Sequence, residues 1–136
     1  MNAHIGLHVT NLKKSIDFYT DLFGENPVKV KENYAKFMPE NLALIFTLNL
    51  VNEVHGNQVG HFGIQVKSGE VLLKHKERLV KAGSQITEEM NTNCCYALQD
   101  KFWINDPDGN EWEFFYTKNK DSQEDLDDVG GCYVSQ

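Results

Sequence analysis

The chain has 136 residues, a formal charge of −7, 40% hydrophobic residues and only three cysteines. That length favours one domain whose core needs neither disulfides nor a structural metal, and the acidic balance argues against nucleic acid or an anionic membrane as partner. There is no apolar run of about 18 residues to span a bilayer, and the opening MNAHIGLHV lacks the basic and apolar regions of a secretory leader; the expected compartment is the cytoplasm, where three cysteines are read as free thiols, metal or metalloid ligands, or a redox couple.

The first expected element is a strand, His4-Ile5-Gly6-Leu7-His8-Val9. Strand alternation puts Ile5, Leu7 and Val9 on the face that packs on the following helix, and His4, Gly6 and His8 on the other. Asn11 is a natural N-cap, Leu12, Ile16, Tyr19 and Phe23 recur at helical spacing, and Gly24 supplies the stop. Strand-like runs follow at Pro27 to Lys31, Tyr34 to Met38 and Leu42 to Leu48. The polar stretch Asn52 to Asn57, with Gly56 for the turn, closes this half.

The second half repeats the first. His61-Phe62-Gly63-Ile64-Gln65-Val66 has the same order of His, apolar, Gly, apolar, polar and Val, and Val71, Leu72, His75, Leu79 and Ala82 mark a helix that ends at Gly83. Strand-like runs come at Gln85 to Glu89, near Cys95 to Gln99, at Phe102 to Ile104 and at Glu111 to Tyr116. The last follows Asp106-Pro107-Asp108-Gly109, which suits a type I turn. Each half therefore reads as βαβββ. The expected fold is α+β: two such modules, about 1–52 and 58–117, forming a cup-shaped mixed β-sheet with flanking helices. Residues 118–136 carry a charge of −3, from Asp121, Glu124, Asp125, Asp127 and Asp128 against Lys118 and Lys120, and are expected to be an acidic flexible tail.

Alternation also aims the polar side chains. In the last strand Trp112, Phe114 and Tyr116 share the apolar face, and Glu111, Glu113 and Phe115 the other. If the two modules curve into a cup, His4, His61 and Glu113 can meet on one atom. Two imidazoles and a carboxylate suit a divalent first-row metal and leave coordination positions open. A lone histidine at a strand start is more often structural; it is the repeat that raises His4 and His61 above that. His8, whose counterpart is Gln65, is a pocket residue, His55 belongs to a loop, His75 to a helix surface and Glu111 to the rim.

Taken together, the repeat, the opening HIGLHVTNLKKSIDFYTDLFG, the HFGIQV strand and the DPDGNEWEFF ending resemble the vicinal oxygen chelate superfamily of glyoxalases, fosfomycin-resistance proteins and extradiol dioxygenases, over residues 3 to 117. Its ligand positions match His4, His61 and Glu113. Within it NYAKF and EEMNTNCCYALQDKFW are similar to one branch, the organoarsenical carbon–arsenic lyases and cadmium-induced proteins. The resemblance implies ferrous iron, or another divalent metal, on His4, His61 and Glu113. It further implies oxygen-dependent cleavage of trivalent organoarsenicals, methylarsenite or aromatic, with release of arsenite.

It also gives the adjacent thiols a task. Trivalent arsenic is thiophilic, and Cys94 and Cys95 can hold it by two As–S bonds. Successive strand residues point to opposite faces, so the pair is expected on a bent or looped segment near the mouth of the cup. Cys132 is a candidate third thiol. One cysteine buried as an apolar residue, or a vicinal disulfide, stays open beside this reading. The run LALIFTL has no Asp, Glu or His, whereas a glyoxalase-like site would take a fourth protein ligand there. A non-catalytic cadmium or arsenite thiol-binding protein and a glyoxalase-like or fosfomycin-resistance-like metalloenzyme are the alternatives. The edge strands leave room for a homodimer.

Overall fold

The computed structural model describes residues 1–56, 59–94 and 97–118, without the side chains of 91–94 and 97. Cys95, Cys132 and, Lys118 apart, the acidic tail lie outside the described residues. The elements run β1 (Ala3–Val9), α1 (Leu12–Phe23), β2 (Lys29–Lys31), β3 (Tyr34–Phe37), β4 (Leu44–Leu50), β5 (Phe62–Gln65), α2 (Gly69–Lys81), β6 (Thr87–Cys94), β7 (Ala97–Asn105) and β8 (Glu111–Thr117). They form two four-stranded sheets of the same order, β1-β4-β3-β2 and β5-β8-β7-β6. The first strand of each sheet runs parallel to the last, as the βαβββ repeat requires.

One compact unit comprises Met1–Gly60 with Asn105–Asn110. In it Asn11 caps α1 by accepting from the Lys14 N–H, and Gly24, at φ 71°, ends the helix with its N–H on Thr20. The alternation expected of β1 holds, with Val9 buried, Ile5 and Leu7 half-buried, and His4, Gly6 and His8 exposed. Tyr19, Leu22, Phe37, Phe46 and Leu48 are the core beneath α1, with the Tyr19 and Phe46 rings 4.7 Å apart. Tyr19 also donates its hydroxyl to Asp106 Oδ2 at 2.6 Å, a buried bond across 87 residues of sequence. Asp106 in turn accepts from the backbone N–H groups of Asp108 and Asn110, and Thr10 Oγ1 donates to Asp108 Oδ1 at 2.6 Å. The 106–110 segment is therefore more than a turn, because it is anchored to α1 and to the end of β1. β4 begins two residues later than expected: Leu42 still bonds back to Pro39, so the chain is turning there.

The other unit comprises His61–Ile104 and the chain from Glu111. Ser68 caps α2 by accepting from the Val71 N–H, and Leu72, Leu79, Phe102 and Phe114 are buried against it. Phe102 and Phe114 stack at 5.0 Å, nearly coplanar. The two runs expected between Cys95 and Ile104 are one strand, β7. Asp100 and Lys101, which interrupt the apolar pattern, are accommodated because Asp100 pairs with Lys118 at 3.1 Å and Lys101 faces Glu113. β6 continues to Cys94 through an irregularity: Glu89 pairs with Lys101 but Thr92 with Gln99, so Met90 and Asn91 together oppose Asp100. His75 is not the surface histidine expected. Its ring lies 5.1 Å from that of Phe114, and burial, then the Arg78 charge, holds its pKa below the usual imidazole value.

Candidate metal centre

Parallel pairing of β5 with β8 sets Gly63 directly across from Glu113. Phe62 and Ile64 are turned to the half-buried side of the strand, while Gly63 and Gln65 lie exposed on the opposite side. Gly63 leaves room here: a Cβ would lie 3.2 Å from Glu113 Cγ and 3.6 Å from its Oε1, a tight contact that the Glu113 side chain would have to relieve. The glycine thus provides the cradle in which the Glu113 side chain lies. His61, immediately before β5, brings its Nε2 to 3.5 Å from Glu113 Oε2, with side-chain exposures of 19% and 8%.

Around this pair the face is polar and aromatic. The Trp103 ring meets His61 edge-on at 5.3 Å and donates its indole N–H to Glu89 Oε1 at 3.2 Å. Lys101, 3% exposed, has its Nζ 3.9 Å from Glu113 Oε2 and 5.9 Å over the Trp103 ring. Burial pushes the Glu113 carboxyl above the usual carboxylate value; the charges of Lys101 and His61 oppose this, and Glu89 adds to it. A buried carboxylate that is hard to ionise gains from a cation beside it.

The pair fits a metal ion. Ligand bonds of about 2.0 to 2.2 Å separate two donors on one ion by roughly 3.0 Å at a right angle and about 3.5 Å at the tetrahedral angle. The His61 to Glu113 distance falls within reach of that range. An imidazole and a carboxylate together suit divalent first-row metals rather than calcium or magnesium.

His4 lies in the other unit, exposed on β1 and opposite Ile45. Gly6, the counterpart of Gly63, is paired with Thr47, so the position that corresponds to Glu113 carries a hydroxyl. β4 thus offers no carboxylate, as LALIFTL implied. Among the described residues no three His, Cys, Asp or Glu side chains form a group that could hold a metal; of the three expected ligands the structure brings His61 and Glu113 together. His8 is exposed opposite Asn49. His55 pairs with Glu53 at 2.6 Å, and Glu111 is exposed at the start of β8.

Cys94 is the last residue of β6, and its pairing with Ala97 places it at a ladder position rather than in a loop. Ala97 belongs to the alternate positions of β7 that include Gln99, Lys101 and Trp103. Those three, with Glu89, are site residues that the sequence reading missed. The signal was present as Gln-x-Lys-x-Trp alternating with Leu98, Phe102 and Ile104, but Asp100 broke it.

Residues 3–114 match the Glyoxalase/Bleomycin resistance protein/Dioxygenase superfamily. The chain is 69% identical over 118 residues to a protein of Bacillus sp. (strain MD1) named trivalent organoarsenical cleaving enzyme, covering 85% of this chain and 73% of that one. A probable trivalent organoarsenical cleaving enzyme of Bacillus subtilis is 58% identical, covering 98% of this chain and 90% of its own. The cadmium-induced protein CadI of Mycobacterium bovis is 37% identical, covering 89% and 78%. Among solved structures, a glyoxalase/bleomycin resistance protein/dioxygenase of Alicyclobacillus acidocaldarius has the same fold, with TM-score 0.68 at 16% identity over 90% of this chain and 96% of that one.

Proposed function

The chain belongs to the glyoxalase/bleomycin resistance protein/dioxygenase superfamily, and from that premise we propose that it cleaves the carbon–arsenic bond of trivalent organoarsenicals. Methylarsenite and aromatic arsenicals are the substrates, the reaction depends on ferrous iron and dioxygen, and arsenite is released. Relatives that are 58% and 69% identical bear the name of this activity. The single structural observation that carries the reading is the His61–Glu113 pair, with Glu113 lying over the open backbone of Gly63.

His61 supplies an imidazole nitrogen and Glu113 a carboxylate whose burial is relieved by a cation; His4 is the third ligand. Ferrous iron on these residues supplies the electron chemistry that dioxygen needs to react with a closed-shell substrate. Cys94 and Cys95 hold arsenic through two As–S bonds, and Cys132 is available as a third thiol. Fixing the arsenic this way turns an encounter between three partners into a reaction at a prepared position, which can lower a barrier by several kcal/mol. The thiols must stay reduced, as they would in the cytoplasm. Trp103 packs against the His61 ring in a T-shaped contact and so helps to orient it.

His61→Ala is expected to abolish arsenite release from methylarsenite while leaving arsenical binding to the thiols intact. Cleavage at the wild-type rate would show that His61 holds no required metal. The likeness to CadI supports a second reading, a thiol-dependent cadmium or arsenite binder without turnover. Stoichiometric binding of either ion, with methylarsenite left uncleaved under iron and air, would favour it.

A further inference from the structure

On the face of β7 beside the candidate metal centre, Gln99 buries a side-chain oxygen that no described residue satisfies, and beside it stands the buried ammonium of Lys101, met by an ion pair and an aromatic ring. Lys101 is 3% exposed, and its Nζ stands 3.9 Å from Glu113 Oε2, an ion-pair distance too long for a hydrogen bond. Gln99 is 9% exposed; its Nε2 donates to Thr117 Oγ1 at 3.3 Å, while its Oε1 has no partner. Leaving a buried carboxamide oxygen unpaired is costly, and the Lys101 ammonium, ion-paired at 3.9 Å, keeps N–H groups to donate. The open acceptor of Gln99 and the spare donors of Lys101, two residues apart on one strand face, mark a place suited to a polar part of a ligand.

Their position says which part. Along β7 the order is Trp103 beside His61, Lys101 beside Glu113, then Gln99, then Ala97 opposite Cys94. At about 3.3 Å per residue, Lys101 and Gln99 occupy the interval between the metal donors and position 94. On the proposed function, on which this inference rests, a substrate held by thiols and reacting beside His61 and Glu113 lies over these two residues. Arsenic bound to two thiolates and one carbon has no hydroxyl left, so the polar group that meets them belongs to the organic substituent. A hydroxyl matches both: its oxygen accepts from the Lys101 ammonium, and its O–H donates to Gln99 Oε1. We propose that Lys101 and Gln99 form a specificity subsite that selects trivalent arsenicals whose organic group carries a hydroxyl, a hydroxylated aryl ring being the simplest.

The test compares trivalent 4-hydroxyphenylarsenite with phenylarsenite on the full-length protein. Binding is read by tryptophan fluorescence on metal-free protein, and arsenite release on ferrous-loaded protein. Wild type is expected to favour the hydroxylated ligand about tenfold or more. Gln99→Met and Lys101→Met should each bring that ratio close to one, whereas Lys101→Arg should keep most of it. A wild-type ratio near one, or a ratio kept by both Met variants, would overturn the subsite and leave water as the partner of these groups. Equal weakening of both ligands would also overturn it, since the residues would then only support the fold or the metal. A binding preference that persists although neither compound is cleaved would uphold the subsite while refuting the lyase.

Discussion

At the scale of single residues the candidate centre rests on a carboxylate that burial makes reluctant to ionise, lying over a glycine. A folded-state pKa above the ordinary 4.5 means that Glu113 contributes stability fully below that value and loses it as pH rises through the folded pKa. Metal-free protein therefore carries a cost at neutral pH that Glu113→Gln removes. The variant is expected to melt a few degrees higher than wild type without metal and to gain nothing from added ferrous or manganous ion. Thermal melts of both proteins with and without metal check this; a metal-free variant that melts lower would contradict it. Gly63→Ala forces a contact of 3.2 Å onto Glu113 Cγ, which can yield only by moving the carboxylate. It is expected to weaken metal binding by roughly tenfold to a hundredfold, the range seen when supports of a ligand are altered, with little change in melting temperature. Titration of the metal-free variant measures it. His61 and Glu113 were legible as candidates from the internal repeat together with period-two alternation. Lys101 and Gln99 were not, because Asp100 interrupts the alternation that would have grouped them, and the open Gln99 acceptor shows only in coordinates.

At the scale of elements, α1 was legible from end to end, since Asn11 and Gly24 are local signals that act on their own backbone. β6 and β7 were not. A charged pair in mid-strand reads as a break until partners distant in sequence, Lys118 and Glu113, are known. The Asp106 segment was read as a turn, and its anchoring to Tyr19 is likewise a long-range fact. Tyr19→Phe should cost about 1.5 to 3 kcal/mol, the usual range for a hydrogen bond to a carboxylate. Urea unfolding would show it; a loss below about 0.5 kcal/mol would mean that the buried bond is replaced without penalty. Asn11→Ala should cost about 1 kcal/mol through loss of the cap.

At the scale of the whole molecule, two sheets of identical strand order carry different chemistry at corresponding positions, Thr47 opposite Gly6 and Glu113 opposite Gly63. The repeat made the fold readable; the divergence between its copies leaves a carboxylate at this position in the second copy and a hydroxyl in the first. The unit built on residues 1–60 also includes 105–110. A fragment of residues 1–60 leaves Tyr19 without Asp106 and should show no cooperative melt by circular dichroism, whereas a sharp transition like that of the full chain would contradict this. Full-length protein loaded with ferrous iron and given methylarsenite should release arsenite in air and none under anaerobic conditions or after iron removal; methylarsenite that binds but stays intact in air, with iron present, would contradict it.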